Sequence, residues 1–518
     1  MTKKLQGDKL KGGKIKGDKL KGDKLKGGKI IASGGFGCIF KPALKCEDSD
    51  LRETNKISKL MTAKHATDEY NQIQKFNSVL NRIPNYEQYF LVDDFTLCKP
   101  EQLTTEDLSN YTKKCKALKK KDITKKNINQ SLDKILALNM PYGGIDIEDF
   151  VKNYFVPNIN SNANTNANTN ANANTNSNII RLNNSLIDLL INGILPMNKL
   201  NVFHCDIKDS NVLVKPTDTK LTTRLIDWGL SLIHNLNEGI PRKLYRRPFQ
   251  YNVPFSSVLF NKEFLRIYYD FLKINVDPDY FQIREFVVNY IFVWNEIRGA
   301  GHLSAINDIV KKLTIKDLVA VKHNKIKSHL VEYDFTYYYI IEYLSQILKK
   351  YTQNGKFDMV TYFNTIFLKN IDIWGFVMIY ISLYEYLYNS FETLNEYQMQ
   401  FIDKIKYIII HFLYESPIEV INVSSLANEL TKLNSLIEKF DIDKPSKKIE
   451  YFNSFKNEVE SGGKTRRKLG TRRKLGTRRK LGTRRKLGTR RTRRNKRKLG
   501  TRTRRNKRKL GTRKNKRK

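Results

Sequence analysis

Residues 203–214, F-H-C-D-I-K-D-S-N-V-L-V, place polar side chains at a spacing that suits phosphoryl transfer, directly before an apolar run. Such a transfer needs a carboxylate that receives or orients the attacking hydroxyl, a cation that steadies the moving phosphoryl group, and an amide oxygen that holds magnesium. Asp206, Lys208 and Asn211 supply these three groups. We therefore predict Asp206 and Lys208 as catalytic residues and Asn211 as a metal ligand.

A second acid follows in L-I-D-W-G-L-S, residues 225–231, where an apolar strand-like run ends at Asp227. Hard carboxylate oxygens are the ligands that magnesium prefers, so Asp227 is a second candidate metal ligand. A simple turn explains a lone D-x-G equally well. The preceding strand nevertheless favours two acids, Asp206 and Asp227, that converge on neighbouring strands.

A glycine-rich segment, A-S-G-G-F-G-C-I-F at residues 32–40, lies between two β-like runs. Gly34 and Gly37 would let backbone N–H groups approach phosphate oxygens closely. A tight hairpin turn without a ligand explains the same letters, and taken alone the pattern favours that interpretation.

The elements that must position these residues follow from hydrophobic periodicity. Strand-like runs come early and helical spacing comes late, which predicts a chain whose strands precede its helices. The predicted strands are 29–41, 56–61, 89–97 and 135–140, and the predicted helices are 184–200, 256–273, 335–350 and 372–388. Residues 160–178 are almost pure Asn, Ala and Thr, and we expect this polar tract to loop out.

The charge of the chain is concentrated at its ends. The chain has 518 residues and a net charge of +42, but residues 1–29 hold 11 Lys and residues 464–518 hold 31 Lys and Arg with no acid. The nearly neutral middle is long enough for a sizeable core, which excludes a wholly disordered protein. The basic ends predict binding to nucleic acid or another polyanion, although solvated tails without a partner explain them equally well.

The tail repeats also place threonines next to basic triplets, which makes the tail a candidate autophosphorylation substrate. These threonines are Thr471, Thr477, Thr483 and Thr489.

Other classes of protein and site are disfavoured by what the sequence does not contain. No run approaches the roughly 18 apolar residues of a membrane span, and the first 29 residues lack the apolar stretch of a secretory signal. The five cysteines are scattered and odd in number, which argues against a disulfide framework and a zinc ribbon. We expect a reducing intracellular compartment, either cytoplasm or nucleus.

The order of the three motifs, G-x-x-G, H-x-D-x-K-x-x-N and D-x-G, resembles that of the eukaryotic-type protein kinases over most of residues 30–440. The resemblance implies an α+β, two-lobed protein-kinase-like fold with a small β-rich N-lobe, a large helical C-lobe and disordered basic termini. The implied divisions are a basic arm at 1–29, the N-lobe and hinge at 30–150, an Asn-rich insert at 151–180, the C-lobe at 181–445 with a helical insert at 256–367, and a linker and tail at 446–518.

The resemblance also implies the nucleotide-binding residues. Ala32 stands where the family has the first glycine of its phosphate loop, Gly34 and Gly37 match the second and third, and Ile39 follows the loop. Lys59 looks like the strand lysine that pairs with the α- and β-phosphates of ATP. Its helix partner would be Glu69, although the 10-residue gap is short and Lys56 is a competing candidate.

Two further segments match the family. Residues 138–147, L-N-M-P-Y-G-G-I-D-I, resemble the inter-lobe hinge, whose backbone from Met140 to Tyr142 would hydrogen-bond adenine while Asp146 reaches the ribose. D-I-W-G at Asp372 resembles the buried helix whose aspartate ties the catalytic loop in place.

The departures from the family pattern bear on regulation. Cys205 replaces the arginine against which a phosphorylated activation loop docks, Trp228 replaces the usual Phe, and no A-P-E follows. Activation-loop phosphorylation is therefore not the expected switch. The hinge and the D-W-G are similar to haspin-like kinases, and the inserts are similar to divergent kinases of large DNA viruses, so a virion location is also open.

The implied function is a serine/threonine-type protein kinase that uses ATP and Mg²⁺ and acts on a protein substrate. A pseudokinase tethered to a polyanion by its tails and a small-molecule phosphotransferase remain the alternatives.

Overall fold

The computed structural model describes residues 28–155, 165–217, 220–235, 238–245, 247–314, 334–390 and 394–440. All of them belong to one compact unit, Met1–Lys444. The predictions for the basic arm fall almost wholly outside the described residues. Those for the linker and tail, including the four threonines, fall wholly outside them.

The first part of the chain forms a five-stranded antiparallel sheet in the order β1-β2-β3-β5-β4. Its strands are β1 (Lys29–Ser33), β2 (Gly37–Lys41), β3 (Lys56–Thr62), β4 (Thr96–Cys98) and β5 (Ile135–Pro141). Helix α1 (Ala63–Leu80) follows β3 without a loop and buries Ala66, Ile73, Phe76 and Leu80, which recur at helical spacing. The predicted strands at 29–41, 56–61 and 135–140 are therefore confirmed.

The predicted strand at 89–97 is wrong over most of its length, because only Thr96–Cys98 pairs with β5. The preceding residues instead contact the later β-structure: Leu91 N donates to Leu225 O at 3.1 Å and Leu225 N donates to Tyr89 O at 2.8 Å. Apolar side chains in this segment are buried by a neighbouring element rather than by the sheet, and periodicity does not distinguish the two cases.

The segment after β4 covers the sheet with two short helices, α2 (Tyr111–Lys114) and α3 (Lys116–Lys119). Their buried side chains, among them Tyr111, Cys115 and Leu118, join those of β2 and β5 in one hydrophobic cluster. Burial of these apolar side chains stabilises the packing of this segment on the sheet.

Four of the five cysteines form two disulfides, Cys38–Cys115 and Cys46–Cys98, which the expectation from their spacing missed. The paired residues are 77 and 52 positions apart, and only the fold brings their Cα atoms to 5.4 and 5.7 Å. Cys205 is unpaired and buried. The expected reducing compartment stays a prediction.

A second, smaller β-structure carries the polar motifs. Strand β6 (Ile145–Asp146) leads into α4 (Ile147–Tyr154). The next described elements are α5 (Thr165–Asp188), a π-helical turn at Leu189–Ile194 and α6 (Leu195–Lys199). Four short strands follow: β7 (Val202–Phe203), β8 (Val212–Pro216), β9 (Leu221–Leu225) and β10 (Leu232–Ile233). The order β6-β8-β9 makes one antiparallel sheet, and β7 pairs with β10.

The Asn-rich tract does not loop out where it is described, because α5 begins at Thr165 and continues to Asp188. Its apolar end buries Leu182 and Leu186, and Leu189 of the following π-helical turn is also buried. Once such a packed helix is nucleated, adding further residues is inexpensive, so Asn and Ala residues before it extend the helix. Residues 156–164 lie outside the described part.

The rest of the described chain is a helical body. It comprises α7 (Lys262–Ile274), α8 (Tyr280–Arg298), α9 (Leu303–Leu313), α10 (Asp334–Tyr351), the β11–β12 hairpin (Thr352–Gln353 and Lys356–Phe357), α11 (Met359–Tyr362), α12 (Leu368–Met378), α13 (Ile381–Ser390), α14 (Glu396–Ile409) and α15 (Val423–Ile437). Reciprocal capping boxes fix the starts of α8 at Asp279 and of α14 at Asn395. The α+β class with early strands and a helical body is confirmed.

One helical stretch in the described residues, Met359–Tyr388, is long and apolar enough to cross a membrane, but 89% of its apolar window is buried inside the protein. Core helices have the same composition. The chain therefore shows no clear membrane span in its described part.

Candidate functional site

The glycine-rich segment is the turn between β1 and β2. Gly34 N donates to Gly37 O at 3.0 Å, and a side chain at Gly34 would meet nothing within 4 Å. Gly37 is required for packing, since a Cβ atom there would lie 2.7 Å from the carbonyl oxygen of Leu60. Ala32 and Ile39 pair with each other across the hairpin. The turn is thus open on its outer side and tight against β3.

Strand β3 presents two lysines with different partners. Lys59 Nζ donates to both carboxylate oxygens of Glu69 on α1, at 2.6 and 2.7 Å. Lys56 Nζ instead pairs with Asp94 at 2.7 Å and with Glu53 at 3.0 Å. The structure therefore joins the predicted pair across the short gap and engages the competing lysine elsewhere.

The predicted adenine-binding segment is partly committed to the protein's own backbone. Met140 pairs with Ile57 of β3, Pro141 has no N–H group, and Tyr142 N donates to Asn55 O at 3.4 Å. No hydrogen bond to the Gly143 amide is found among the described residues. The Gly143 N–H group, one residue after the predicted segment, is thus not engaged by any described residue.

Asp146 begins α4 as its N-cap, and its side chain accepts a hydrogen bond from Asp149 N at 2.8 Å. Burial raises the pKa of Asp146, and the nearby charge of Asp209 acts in the same direction. Asp146 thus has a local structural role beside any ligand contact.

Asp206 lies on the loop between β7 and β8 and is 7% exposed. Its Oδ2 accepts from Lys208 Nζ at 2.9 Å and from Asn211 Nδ2 at 3.1 Å, and Asn211 Nδ2 also donates to the Asp206 carbonyl at 2.8 Å. Its Oδ1 accepts from Asn252 Nδ2 at 2.9 Å. The structure brings together the three residues predicted from the motif and adds a fourth.

Burial opposes ionisation of Asp206, but the hydrogen bonds from Lys208 and Asn252 and the charges of Lys208 and Arg247 outweigh it and hold the pKa below its usual value. Asp206 is therefore a carboxylate at neutral pH. It can orient a hydroxyl and accept a proton from it.

Asn211 and Asp227 lie at the same end of the β8–β9 ladder. Val212 pairs with Leu225, and Ile226 N donates to Asn211 O at 3.0 Å. Asp227 is exposed and adopts the left-handed backbone conformation, with φ 66°. Such a conformation costs energy in a non-glycine residue and is often found at functional sites.

The donor set at this ladder end fits magnesium. Asn211 uses its amide nitrogen on Asp206, which leaves the side-chain oxygen for a ligand. The Asp227 side chain accepts no capping hydrogen bond from the 3₁₀ turn that follows it. Magnesium commonly takes one or two protein oxygens and completes its shell with phosphates and water. A cluster of three or more His, Cys, Asp or Glu residues is not found in the described ranges.

Trp228 links this end of the ladder to α1. Gln72 Nε2 donates to Trp228 O at 2.6 Å, and the indole packs 5.2 Å from the Phe76 ring and 5.0 Å from the His204 ring. His204 Nε2 in turn donates to Ile226 O at 2.9 Å. Helix α1, which carries Glu69, is thus held against the segment that carries Asp227.

Helix α12 holds the loop before Asp206 in place through hydrogen bonds. Asp372 is fully buried and accepts from His204 N at 2.9 Å and Cys205 N at 2.7 Å, as the resemblance predicted. Gly375 packs so closely that a Cβ atom would lie 2.5 Å from Ile207 O. Burial raises the pKa of Asp372 to about 7, against the effect of its two backbone donors.

Arg247 and Asn252, two residues that sequence reasoning missed, complete the surroundings of Asp206. The Arg247 guanidinium is buried, donates through Nη1 to Cys205 O at 2.7 Å and lies 3.7 Å from Asp206 Oδ1. Asn252 also donates to Ile207 O at 3.2 Å. Both belong to residues 245–252, Y-R-R-P-F-Q-Y-N. From the sequence, we noted only that A-P-E is missing after the D-W-G. The available signal was four polar side chains, Arg246, Arg247, Gln250 and Asn252, within an aromatic stretch.

Searches with models of known protein families and against curated proteins found no match to this chain.

Proposed function

We propose that this chain is a serine/threonine-type protein kinase that transfers the γ-phosphate of ATP to a protein hydroxyl. The observation that carries the proposal is Asp206, a buried carboxylate whose pKa is held low on a loop that also presents Lys208 and Asn211. Each group required for phosphoryl transfer to a hydroxyl is present within one hydrogen-bonded set.

In this proposal the β-rich region is the small lobe and the helical body is the large lobe of a protein-kinase-like fold. The Lys59–Glu69 pair and the Gln72–Trp228 contact support it, because they join the sheet, α1 and the Asp227 segment. A strand-lysine to helix-glutamate pair and a packed residue after the metal-binding aspartate are the features that an active kinase requires.

ATP would bind between these parts. Because Gly34 N is engaged by Gly37 O, the N–H groups that would contact phosphate oxygens are those of Gly35 and Phe36 at the open tip of the turn, and Lys59 would contact the α- and β-phosphates. Because the Tyr142 amide is committed, the adenine contact would come from Gly143. Asp146 would meet the ribose with the carboxylate oxygen that does not cap α4.

Asn211 and Asp227 would hold Mg²⁺, which neutralises charge on the phosphates when bound. The residues of the chain then perform the transfer. Asp206 orients the acceptor hydroxyl and takes its proton while the hydroxyl oxygen bonds to the γ-phosphorus. Lys208 steadies the phosphoryl oxygens as the bond from the γ-phosphorus to the bridging oxygen breaks and ADP leaves.

The pseudokinase alternative rested on Ala32, on the Lys59–Glu69 pair and on the missing A-P-E. The Lys59–Glu69 pair is formed, so that argument loses force. Ala32 lies in β1 next to a register irregularity between Ile30 and Ala32, and the argument from this residue stands. Both this alternative and the small-molecule phosphotransferase are outcomes of the test below.

The test is transfer of labelled γ-phosphate from Mg-ATP to a panel of basic proteins and to the chain itself. We expect label on Ser or Thr with wild type and with Asp270→Ala, a matched exposed aspartate on α7, and none with Asp206→Ala or Asp227→Ala. Mg-ATP binding without transfer by wild type would indicate a pseudokinase. Transfer to a metabolite without any protein acceptor would indicate a small-molecule enzyme.

A further inference from the structure

A cavity of about 480 Å³ lies beside the Asp206 loop, between α4, α9 and the α12–α13 turn. Two of its lining residues, Asp209 and Tyr251, are close in sequence to groups that hold the reacting carboxylate. Asp209 follows Lys208, and Tyr251 precedes Asn252, which donates to Asp206. A group bound here would therefore lie next to the site of transfer.

The wall of the cavity combines apolar and acidic surface. Val151, Ile309 and Met378 supply the apolar part. The charged lining residues are four acids and two lysines, and each lysine pairs with an acid of the cavity: Lys152 with Glu148, and Lys312 with Glu385.

Two carboxylates of the cavity, those of Asp209 and Asp308, form no ion pair with any residue that the structure describes. Asp209 accepts from Ser382 Oγ at 3.0 Å and from Ser210 N at 2.7 Å, but it forms no ion pair within the described ranges. Asp308 is exposed on α9, and no hydrogen bond or ion pair to it is found in that part of the chain. The cavity therefore carries an excess of negative charge over an apolar floor.

We infer that this acidic cavity binds a Lys or Arg side chain of the acceptor peptide, so that the kinase proposed above selects hydroxyls with a basic neighbour. Such side chains are amphipathic, with an apolar stem and a cationic head, and the cavity offers a surface for each. The positive charge of the chain is concentrated at its two ends, which repel a basic peptide, and the middle is nearly neutral. A preference for basic peptides would therefore come from a local acidic site.

The test compares two acceptor peptides on the full chain at 0.15 M salt: TRRKLGTRRKLG, the sequence of residues 471–482, and TQQQLGTQQQLG. We expect wild type to show a KM about tenfold lower for the basic peptide. Asp308→Lys should raise that KM about tenfold with kcat and the KM of the neutral peptide unchanged, because the interaction is one of binding alone. Asp308→Glu should retain the preference.

Asp270→Lys, a charge reversal outside the cavity, is the matched control. Equal KM values for the two peptides with wild type, or equal effects of Asp308→Lys and Asp270→Lys, would overturn the inference.

This inference rests on the proposed function. If the wild-type protein transfers phosphate to no acceptor, the proposed function is wrong. Fluorescence anisotropy with the labelled basic peptide then tests the cavity by itself. About tenfold weaker binding to Asp308→Lys alone would support the inference, and equal affinity for wild type and both variants would overturn it.

Discussion

At the scale of the residue, the site depends on what keeps Asp206 ionised in a buried position. Asn252 Nδ2 donates to Asp206 Oδ1 at 2.9 Å, and this bond favours the charged form. We predict that Asn252→Ala raises the pKa of Asp206 and moves the acidic limb of the kcat profile to higher pH, with about a tenfold loss of kcat at neutral pH.

The measurement is kcat against pH for Asn252→Ala and for Asn261→Ala. Asn261 is equally buried but caps α7, so its loss should lower stability and leave the acidic limb in place. Superimposable pH profiles for wild type and Asn252→Ala would contradict the role assigned to Asn252.

Asp372 gives a second prediction, one that concerns stability. Burial raises its pKa to about 7, whereas an aspartate in the unfolded chain titrates near 4. Between these values the folded protein holds a proton that the unfolded chain has lost. The contribution of this carboxyl to stability is therefore fully present below pH ~4 and is lost as pH rises through about 7.

We therefore expect the unfolding free energy of wild type minus that of Asp372→Asn to fall by roughly 2 kcal/mol between pH 5 and pH 8. Urea unfolding of both proteins at several pH values measures this difference. Asn261→Ala, which removes no titratable group, serves as the control, and its difference from wild type should not change with pH. A constant difference for Asp372→Asn as well would refute the prediction.

At the scale of the element, strand β3 and helix α1 distinguish the two candidate lysines for the proposed nucleotide contact. Lys59 pairs with Glu69 on α1, whereas Lys56 pairs with Asp94 and Glu53. We predict that Lys59→Met lowers kcat/KM for ATP by about 10²-fold or more, because the phosphates lose a positioned cation. Lys56→Met removes the same charge from the same strand and should change kcat/KM less than threefold.

Steady-state kinetics with ATP as the varied substrate compares the two variants. Equal losses of kcat/KM in the two variants would show that the position of the positive charge on β3 does not matter. A larger loss in Lys56→Met would assign the phosphate contact to Lys56 instead of Lys59.

Elements differ in how far the sequence predicts them. The residues 203–214 form a local motif, so the contacts of Asp206 with Lys208 and Asn211 could be predicted from spacing alone. Arg247 and Asn252 reach the same carboxylate from more than 40 positions away, and no periodicity specifies that approach. The helix through the Asn-rich tract shows a packed element extending into residues that would not form a helix by themselves.

At the scale of the whole molecule, the disulfides could not be predicted either, because the spacing of cysteines along the chain does not specify which distant cysteines meet. The α+β class could be predicted because strand-like and helical periodicities occupy different parts of the chain. The division of charge between a neutral middle and basic ends is equally visible in the sequence.

That division of charge predicts separable functions. Deleting residues 464–518 removes 31 positive charges. We expect the deletion to weaken binding of a generic polyanion such as heparin and to flatten its dependence on salt, because fewer counterions are released. Phosphate transfer to a neutral peptide should change less than twofold. An unchanged salt slope would assign the polyanion contact to other residues.

In the proposed reaction Asp206 takes the proton of the acceptor hydroxyl during phosphoryl transfer. A single-turnover measurement with saturating Mg-ATP tests it most directly, comparing wild type with the nearly isosteric Asp206→Asn. We predict a transfer rate about 10²- to 10⁴-fold lower in the variant, with the affinity for Mg-ATP unchanged. An Asp206→Asn variant that transfers phosphate at the rate of wild type would show that Asp206 does not take this proton.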